Sequence, residues 1–273
     1  MIYKRHHSIE IVDQDYEKEF GSLGVAKQQC FNIGAGTWQH GAWTNIDLPA
    51  QSKAFAKIQA PCIPHNLVGD ENLPIAPNSA QLIYTSHVIE HLPDFHVDRL
   101  FVSVYKSLRD GGIFRVVTGP DADTDYAALR RRDARWWYFY DDADYADGVR
   151  DHGPMTLTDK WLLHVASPRS LDCATPCDRK YTAYEVDDLV AMYALEPNKV
   201  RDILTAGLKF NVRSPGDHLS WWNGDKLIRQ LRAAGFSTVS KCAYGQSRSH
   251  LMRDLRWFDT TYPQISLYVE AVK

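Results

Sequence analysis

The sequence predicts an α/β fold: a mostly parallel sheet, an antiparallel hairpin at its C-terminal edge, and a helical insertion. Three observations carry that expectation. Short apolar runs and one clear helical face alternate through the first 120 residues. The alternation stops after Gly119-Pro120 and returns near residue 218. The chain then closes on ISLYVEAV, where Ile265, Leu267, Val269 and Ala271 alternate in the manner of a sheet-edge strand. A length of 273 residues suits one large α/β domain, or one domain carrying a sizeable insertion.

Taken in order, Cys30 to Gly36 reads CFNIGAG, a buried strand running into a tight glycine turn. Trp43 to Asp47 (WTNID) is a second short strand ending on an acid, and Ala80 to Ser86 (AQLIYTS) a strand with an apolar centre. Asp94 can cap a helix whose Val97, Leu100, Phe101, Val104 and Leu108 share one face, with Gly111 and Gly112 as its stop. Ile113 to Thr118 (IFRVVT) follows as a strand, and strand–helix–strand implies parallel strands joined by a right-handed crossover. Residues 121–217 are rich in aromatics and charges, among them Trp136, Trp137, Tyr138, Phe139, Tyr140 and Trp161. Thr182 and Glu185 form a capping-box pattern ahead of Val186, Leu189, Val190 and Tyr193, and a second helix is expected from Asn198 to Ala206. Asn223 can then cap a helix containing Leu227, Ile228 and Leu231, ended by Gly235, before a strand from Ser237 to Ala243. The expected division is a sheet domain over 1–120 and 218–273, with 121–217 as a helical, aromatic-rich insertion packed over the C-terminal edge of the sheet as a pocket wall or lid.

Composition narrows the function classes. Apolar residues make up 44% and charged residues 24%, as in an ordinary globular protein, and the net charge of −3 lacks the basic footprint of a nucleic-acid binder. The local basic run Arg130, Arg131, Arg132 and Arg135 reads as a solvated helix face. No apolar stretch reaches the length of a membrane span, and Met1 to His7 is not followed by the apolar core of a signal peptide. The five scattered cysteines fit free thiols in a reducing cytoplasm. Cys173 and Cys177 near His164 lack the second ligand pair that structural zinc requires, so no metal is expected.

Gly34 and Gly36 carry the first chemical signal. In open α/β sheets, ligands bind outside the carboxyl ends of the strands, and a glycine turn there lets a ligand approach the backbone. Asp47, at the end of the second strand, can accept hydrogen bonds from both hydroxyls of a ribose. A dinucleotide fingerprint would place a third glycine at position 39, which is Gln39, and an acid about 20 residues on. Asp47 comes only eleven residues after Gly36. A nucleoside without a diphosphate is therefore favoured over NAD, with an NAD-linked oxidoreductase as the alternative.

The segments CFNIGAG, WTNIDLP, LPIAPNSAQLIYTSHVIEHL, LRDGGIFRVVTGPD, LRAAGF and SLYVEAVK, in this order, resemble class I S-adenosyl-L-methionine (SAM)-dependent methyltransferases. Within them the chain looks closest to a type-11-like bacterial subgroup often predicted to act in surface-polysaccharide or small-molecule pathways. The resemblance covers about residues 28–120 and 218–273. It implies a Rossmann-like sheet, SAM as cofactor, and methyl transfer to an O or N atom of a small metabolite or sugar-type acceptor. Gly34 and Gly36 would border the methionine part of SAM, with Asn32 and Ile33 lining the same turn. Asp47 would hold the ribose and Leu48 would pack on the adenine. Where the family has an Asp-Leu pair, this chain has Asn66-Leu67, whose Asn oxygen could meet the adenine amine. Ser86 and His87 would flank the sulfonium. The stretch from Gly36 to Asp47 is too short for a full first helix, a shortening the subgroup shares. A non-catalytic SAM-fold binding protein stays open as a further alternative.

For the acceptor side, His218 in PGDHLSWWNG is the first candidate base or acceptor-orienting group, and His87 the second. The plainer role for His218 is a loop histidine bonded to a backbone carbonyl. For His91 it is pinning the next helix, and for Glu90 a fold-supporting acceptor. The Trp136–Tyr140 run reads as insertion core, or as the wall of an acceptor pocket able to cage a cation. The expected partners are a small-molecule acceptor and a second copy of the chain, which could pair edge to edge through Ile265–Val272.

Overall fold

In the computed structural model, which describes residues 9–50, 56–70, 72–141, 155–170, 191 and 196–273, seven strands form one sheet. They are β1 (Cys30–Ile33), β2 (Thr44–Asp47), β3 (Ile63–Pro64), β4 (Ala80–Ser86), β5 (Leu108–Thr118), β6 (Thr238–Cys242) and β7 (Leu267–Val272). Their order across the sheet is β3-β2-β1-β4-β5-β7-β6. The first five are mutually parallel, and β7 runs antiparallel to both β5 and β6. The helices are α1 (Ile9–Phe20), α2 (Leu23–Lys27), α3 (Asp94–Ser107), α4 (Ala122–Arg130), α5 (Leu157–Ala166), α6 (Pro197–Thr205) and α7 (Gly224–Ala233). This is the mostly parallel, Rossmann-like α/β architecture with an antiparallel C-terminal pair.

All four residues of β1 are buried, as a central parallel strand covered on both faces demands. On one face, Ile33, Ile46, Ile83, Phe114, Val116, Leu267, Val269 and Ala271 pack beneath α3 and α7 through Phe101, Val104, Leu227 and Leu231. On the other, Cys30, Leu82, Tyr84, Val117 and Tyr268 pack against Tyr16, Ala26, Trp43, Met252 and Phe258. Period-two alternation thus sends Leu82 and Tyr84 one way and Ile83 the other. A separate apolar cluster gathers α4, α5 and α6 around Trp137, Trp161, Leu162, Val200, Leu204 and Trp221. Trp137 therefore belongs to that core, Trp136 is half-buried, and Arg130, Arg131, Arg132 and Arg135 are exposed.

Several boundaries differ from expectation, each for a physical reason. Ile265–Val272 is not an edge strand, because β6 flanks β7 and forms that edge. Both sides of β7 are hydrogen-bonded within the chain, to β5 and to β6. The polar positions of β7 mimic a solvated face, but Glu270 is buried because it pairs with Arg115 at 3.1 Å. Asp94 does not cap α3: the residue preceding the helix is Pro93, and Asp94 instead binds Lys226 Nζ at 2.7 Å. Gly111 and Gly112 do not stop α3, which ends at Ser107, and both lie within β5. A Cβ on Gly112 would stand 3.0 Å from the Ala80 carbonyl, so glycine there admits the neighbouring strand. Asn223 does cap α7, its side chain accepting from Lys226 N–H. The helix expected after Thr182 and Glu185, and Cys173 and Cys177, lie outside the described residues.

Candidate functional site

The strand order reverses between β1 and β4, and a crevice opens at such a switch point outside the strand ends. A cavity of about 320 Å³ occupies it, within the range of small-ligand pockets. One wall is backbone and carboxylate: Gly34, Gly36, Asp47 and Leu48. A second is Asn66, Leu67 and Val68, and a third is His87, Val88 and His91. Phe210, Pro215 and Gly216 reach in from the segment just before residue 218. Of the residues expected at a cofactor site, Gly34, Gly36, Asp47, Leu48, Asn66, Leu67 and His87 all line this space, whereas Asn32 is buried within β1 and neither it nor Ser86 is among the lining residues.

The turn after β1 is built on Asp47. Its Oδ2 accepts from Gly36 N–H at 2.6 Å and its Oδ1 from Leu48 N–H at 2.7 Å. Gly36 and Asp47 are therefore adjacent, and each carboxylate oxygen keeps acceptor capacity for a ligand hydroxyl. Gly34 (φ +69°) and Gly36 (φ +56°) both adopt left-handed backbone. A Cβ on Gly34 would lie 2.2 Å from Val88 Cγ2, while one on Gly36 would meet nothing within 4 Å. From Gly36 to β2 the chain forms turns and no helix, as its shortness predicted.

The wall of His87, Val88 and His91 is organised by Glu90. This buried carboxylate receives His87 Nδ1–H at 3.0 Å, Thr118 Oγ–H at 2.8 Å and Gly119 N–H at 3.4 Å. Burial alone would raise its pKa, but the hydrogen bond from His87 and the neighbouring His87, His91 and His218 bring it down to about 2. His87 itself holds left-handed backbone (φ +54°), and its Nε2 meets Ser266 Oγ at 2.9 Å. Gly119 makes room for this ring, since a Cβ there would lie 2.5 Å from His87 Cε1.

His218 does not line the cavity. It stands behind His91, with ring centroids 4.9 Å apart, and donates Nδ1–H to the His164 carbonyl at 2.7 Å. Burial, reinforced by His91, pushes its pKa down to about 3, so it is neutral at physiological pH. His91 likewise faces the Asp217 carbonyl through Nδ1, at 3.2 Å. Sequence reasoning singled out the glycines, Asp47 and His87. It did not find Gly119, Phe210, Pro215 or Gly216, and for Glu90 and His91 it favoured structural roles. The one sequence signal for the latter pair is their adjacency to His87 in SHVIEHL.

No family model matches this chain, and no curated protein matches it. Solved structures do. A SAM-dependent methyltransferase from Archaeoglobus fulgidus is similar at 12% identity and a TM-score of 0.39, over 97% of this chain and 95% of that one. A SAM-dependent methyltransferase from Mesorhizobium loti is similar at 16% identity and a TM-score of 0.39, over 90% of each. Phosphoethanolamine N-methyltransferase 2 of Haemonchus contortus, in complex with SAM, is similar at 14% identity and a TM-score of 0.38, over 96% of this chain and 52% of that one. These are likenesses of fold.

Proposed function

We propose that the chain is a SAM-dependent methyltransferase whose cofactor occupies the switch-point cavity and whose acceptor is a small molecule. The observation that carries this is the pairing of Gly36 with Asp47 at the cavity wall, bonded at 2.6 Å. That pair offers open backbone beside a carboxylate with spare lone pairs, which suits the ribose and uncharged backbone of a nucleoside cofactor. The donor set fits SAM better than a dinucleotide. No helix begins after Gly36, so a diphosphate would find no helix N-terminus to neutralise it.

SAM supplies an activated methyl group on a sulfonium, so the transfer chemistry belongs to the cofactor. The chain's own residues bind and orient. Asp47 holds the ribose, Leu48 and Leu67 offer apolar surface to the base, and Asn66 lines the same end. Asn66 Oδ1 already accepts from Val68 N–H at 3.0 Å, and its second lone pair is what a base amine would use. Phe210 and Pro215 line the same cavity as His87 and His91 and would help to restrict water there. Holding acceptor and methyl in line is worth about 7–11 kcal/mol of a barrier. A hydroxyl acceptor gains a further rate factor of roughly a hundred to ten thousand from a general base, and the histidine wall is where such a group belongs.

Calorimetric titration of SAM tests the assignment. Asp47→Ala removes the charged acceptor and also frees the Gly36 turn, so affinity falls by at least ~10-fold, the order expected for hydrogen bonds to a charged group. Unchanged affinity in that variant, or a thermal shift with NADH and none with SAM, overturns the proposal.

A further inference from the structure

Behind the histidine wall, one ligand-capable atom each from Glu90, His91 and His218 lies within 4.8 Å of the other two. We infer that these three side chains form a binding site for one divalent metal ion of the zinc type, placed at the inner end of the cavity.

The hydrogen bonds around the three groups are those of ligands already oriented. A carbonyl oxygen only accepts, so His218 must carry its proton on Nδ1 to bond the His164 carbonyl, and His91 must do the same for the Asp217 carbonyl. Each ring is thereby fixed in the tautomer that leaves a lone pair on Nε2, the usual role of the outer hydrogen bond of a metal-bound histidine. Glu90 is anchored in turn by Thr118, Gly119 and His87, which fix the plane of its carboxylate; Oε1 accepts from both His87 and Gly119, and Oε2 from Thr118 alone, so Oε2 keeps a lone pair for a metal. The backbone does the rest. Leu219 and Ser220 donate their N–H groups to the Glu90 carbonyl at 2.7 and 3.2 Å, which ties the His218 segment to the Glu90-His91 turn. Three ligands from two distant parts of the chain are thus brought together by main-chain bonds.

Two imidazoles and one carboxylate suit Zn²⁺, Co²⁺, Ni²⁺ or Fe²⁺ better than Mg²⁺ or Ca²⁺, which take oxygen ligands. Three protein ligands leave a coordination position open. His91 lines the cavity, so the site adjoins the space into which an acceptor would enter. An acceptor with an oxygen donor would bind there; this last step rests on the methyltransferase proposal, whereas the metal site does not.

The test is a titration of untagged, chelator-treated protein with Zn²⁺ by calorimetry, and with Co²⁺ by visible absorption, both without SAM. Independence from SAM keeps failure of this site distinct from failure of the cofactor assignment. One ion per chain is expected, with Co²⁺ bands of low coordination number. Loss of an outer partner alone costs roughly 10–100-fold in affinity, so His218→Ala, which removes a ligand, lowers it by at least ~100-fold. His91→Ala provides a second variant with the same expected loss, and because both histidines are partly buried a melting curve confirms that each variant is folded. Absence of a saturable site in the native chain overturns the inference. So does native-like affinity in both folded variants.

Discussion

Gly34 and Gly36 share a left-handed backbone but not a reason for it. At Gly34 the space is filled by Val88, and an added methyl would overlap Cγ2 at 2.2 Å. Gly34→Ala therefore combines a backbone cost of about 1–2 kcal/mol with an overpacking cost of about 1–3 kcal/mol. Gly36→Ala incurs only the first, because its side is open. Urea denaturation of the two variants should show the larger loss at Gly34, and equal losses would contradict this. His40 gives a pH signature of another kind. Its Nδ1 accepts from Ala42 N–H at 3.1 Å, and burial lowers its pKa from 6.5 to about 4. The unfolded chain then binds the proton more readily, so stability is intact above pH 6.5 and declines as pH falls from there towards 4. The full decline is on the order of 3 kcal/mol. His40→Asn, which keeps an acceptor for Ala42, should flatten melting temperature against pH in that window; an unchanged slope would show that His40 is not its source.

Among the elements, the antiparallel pair β6–β7 depends on a charge network inside the sheet. Arg115 on β5 is fully buried between Asp259 and Glu270, and also donates to the Gln246 carbonyl at 2.8 Å. Arg115→Met leaves two carboxylates buried without their cation, a loss of about 3–5 kcal/mol. Chemical denaturation measures it, and a loss under ~1 kcal/mol would mean the network is incidental. This element also marks how far the sequence was legible. β4 was readable to its end residues, and the cap of α7 to its residue, Asn223, because local patterning decides both. β7 read as an edge because Ser266 and Glu270 look solvated, and only the fold reveals that Arg115 neutralises Glu270. The ends of α3 failed for the same reason. Asp94 serves a tertiary partner, Lys226, rather than its own helix.

At the scale of the whole molecule, the switch point of the sheet brings together residues separated by more than a hundred positions. Gly34, Gly36 and Asp47 were legible because a glycine turn and a strand-end acid are local signals. The wall of Phe210, Pro215 and Gly216 was not, since nothing in that segment encodes where it returns to the sheet. His218 was legible as a residue of interest and not as to place: it lies behind His91, bonded to a carbonyl. Phe210, Pro215 and Gly216 line the same cavity as Gly34, Gly36 and Asp47, and we propose that the segment they belong to sets acceptor choice. That proposal has a direct check in limited proteolysis with and without SAM. Cofactor binding should protect the chain around Phe210–Gly216, and identical cleavage there in both conditions would count against it.

The central claim is that the cavity between the tips of β1, β2 and β4 holds SAM. A crystal structure grown with S-adenosylhomocysteine, the demethylated product, tests it most directly. The ribose hydroxyls are expected on Asp47, the adenine against Leu48 and Leu67, and the thioether directed towards His87. The product bound anywhere else, or Asp47 turned away from the sugar, would contradict it.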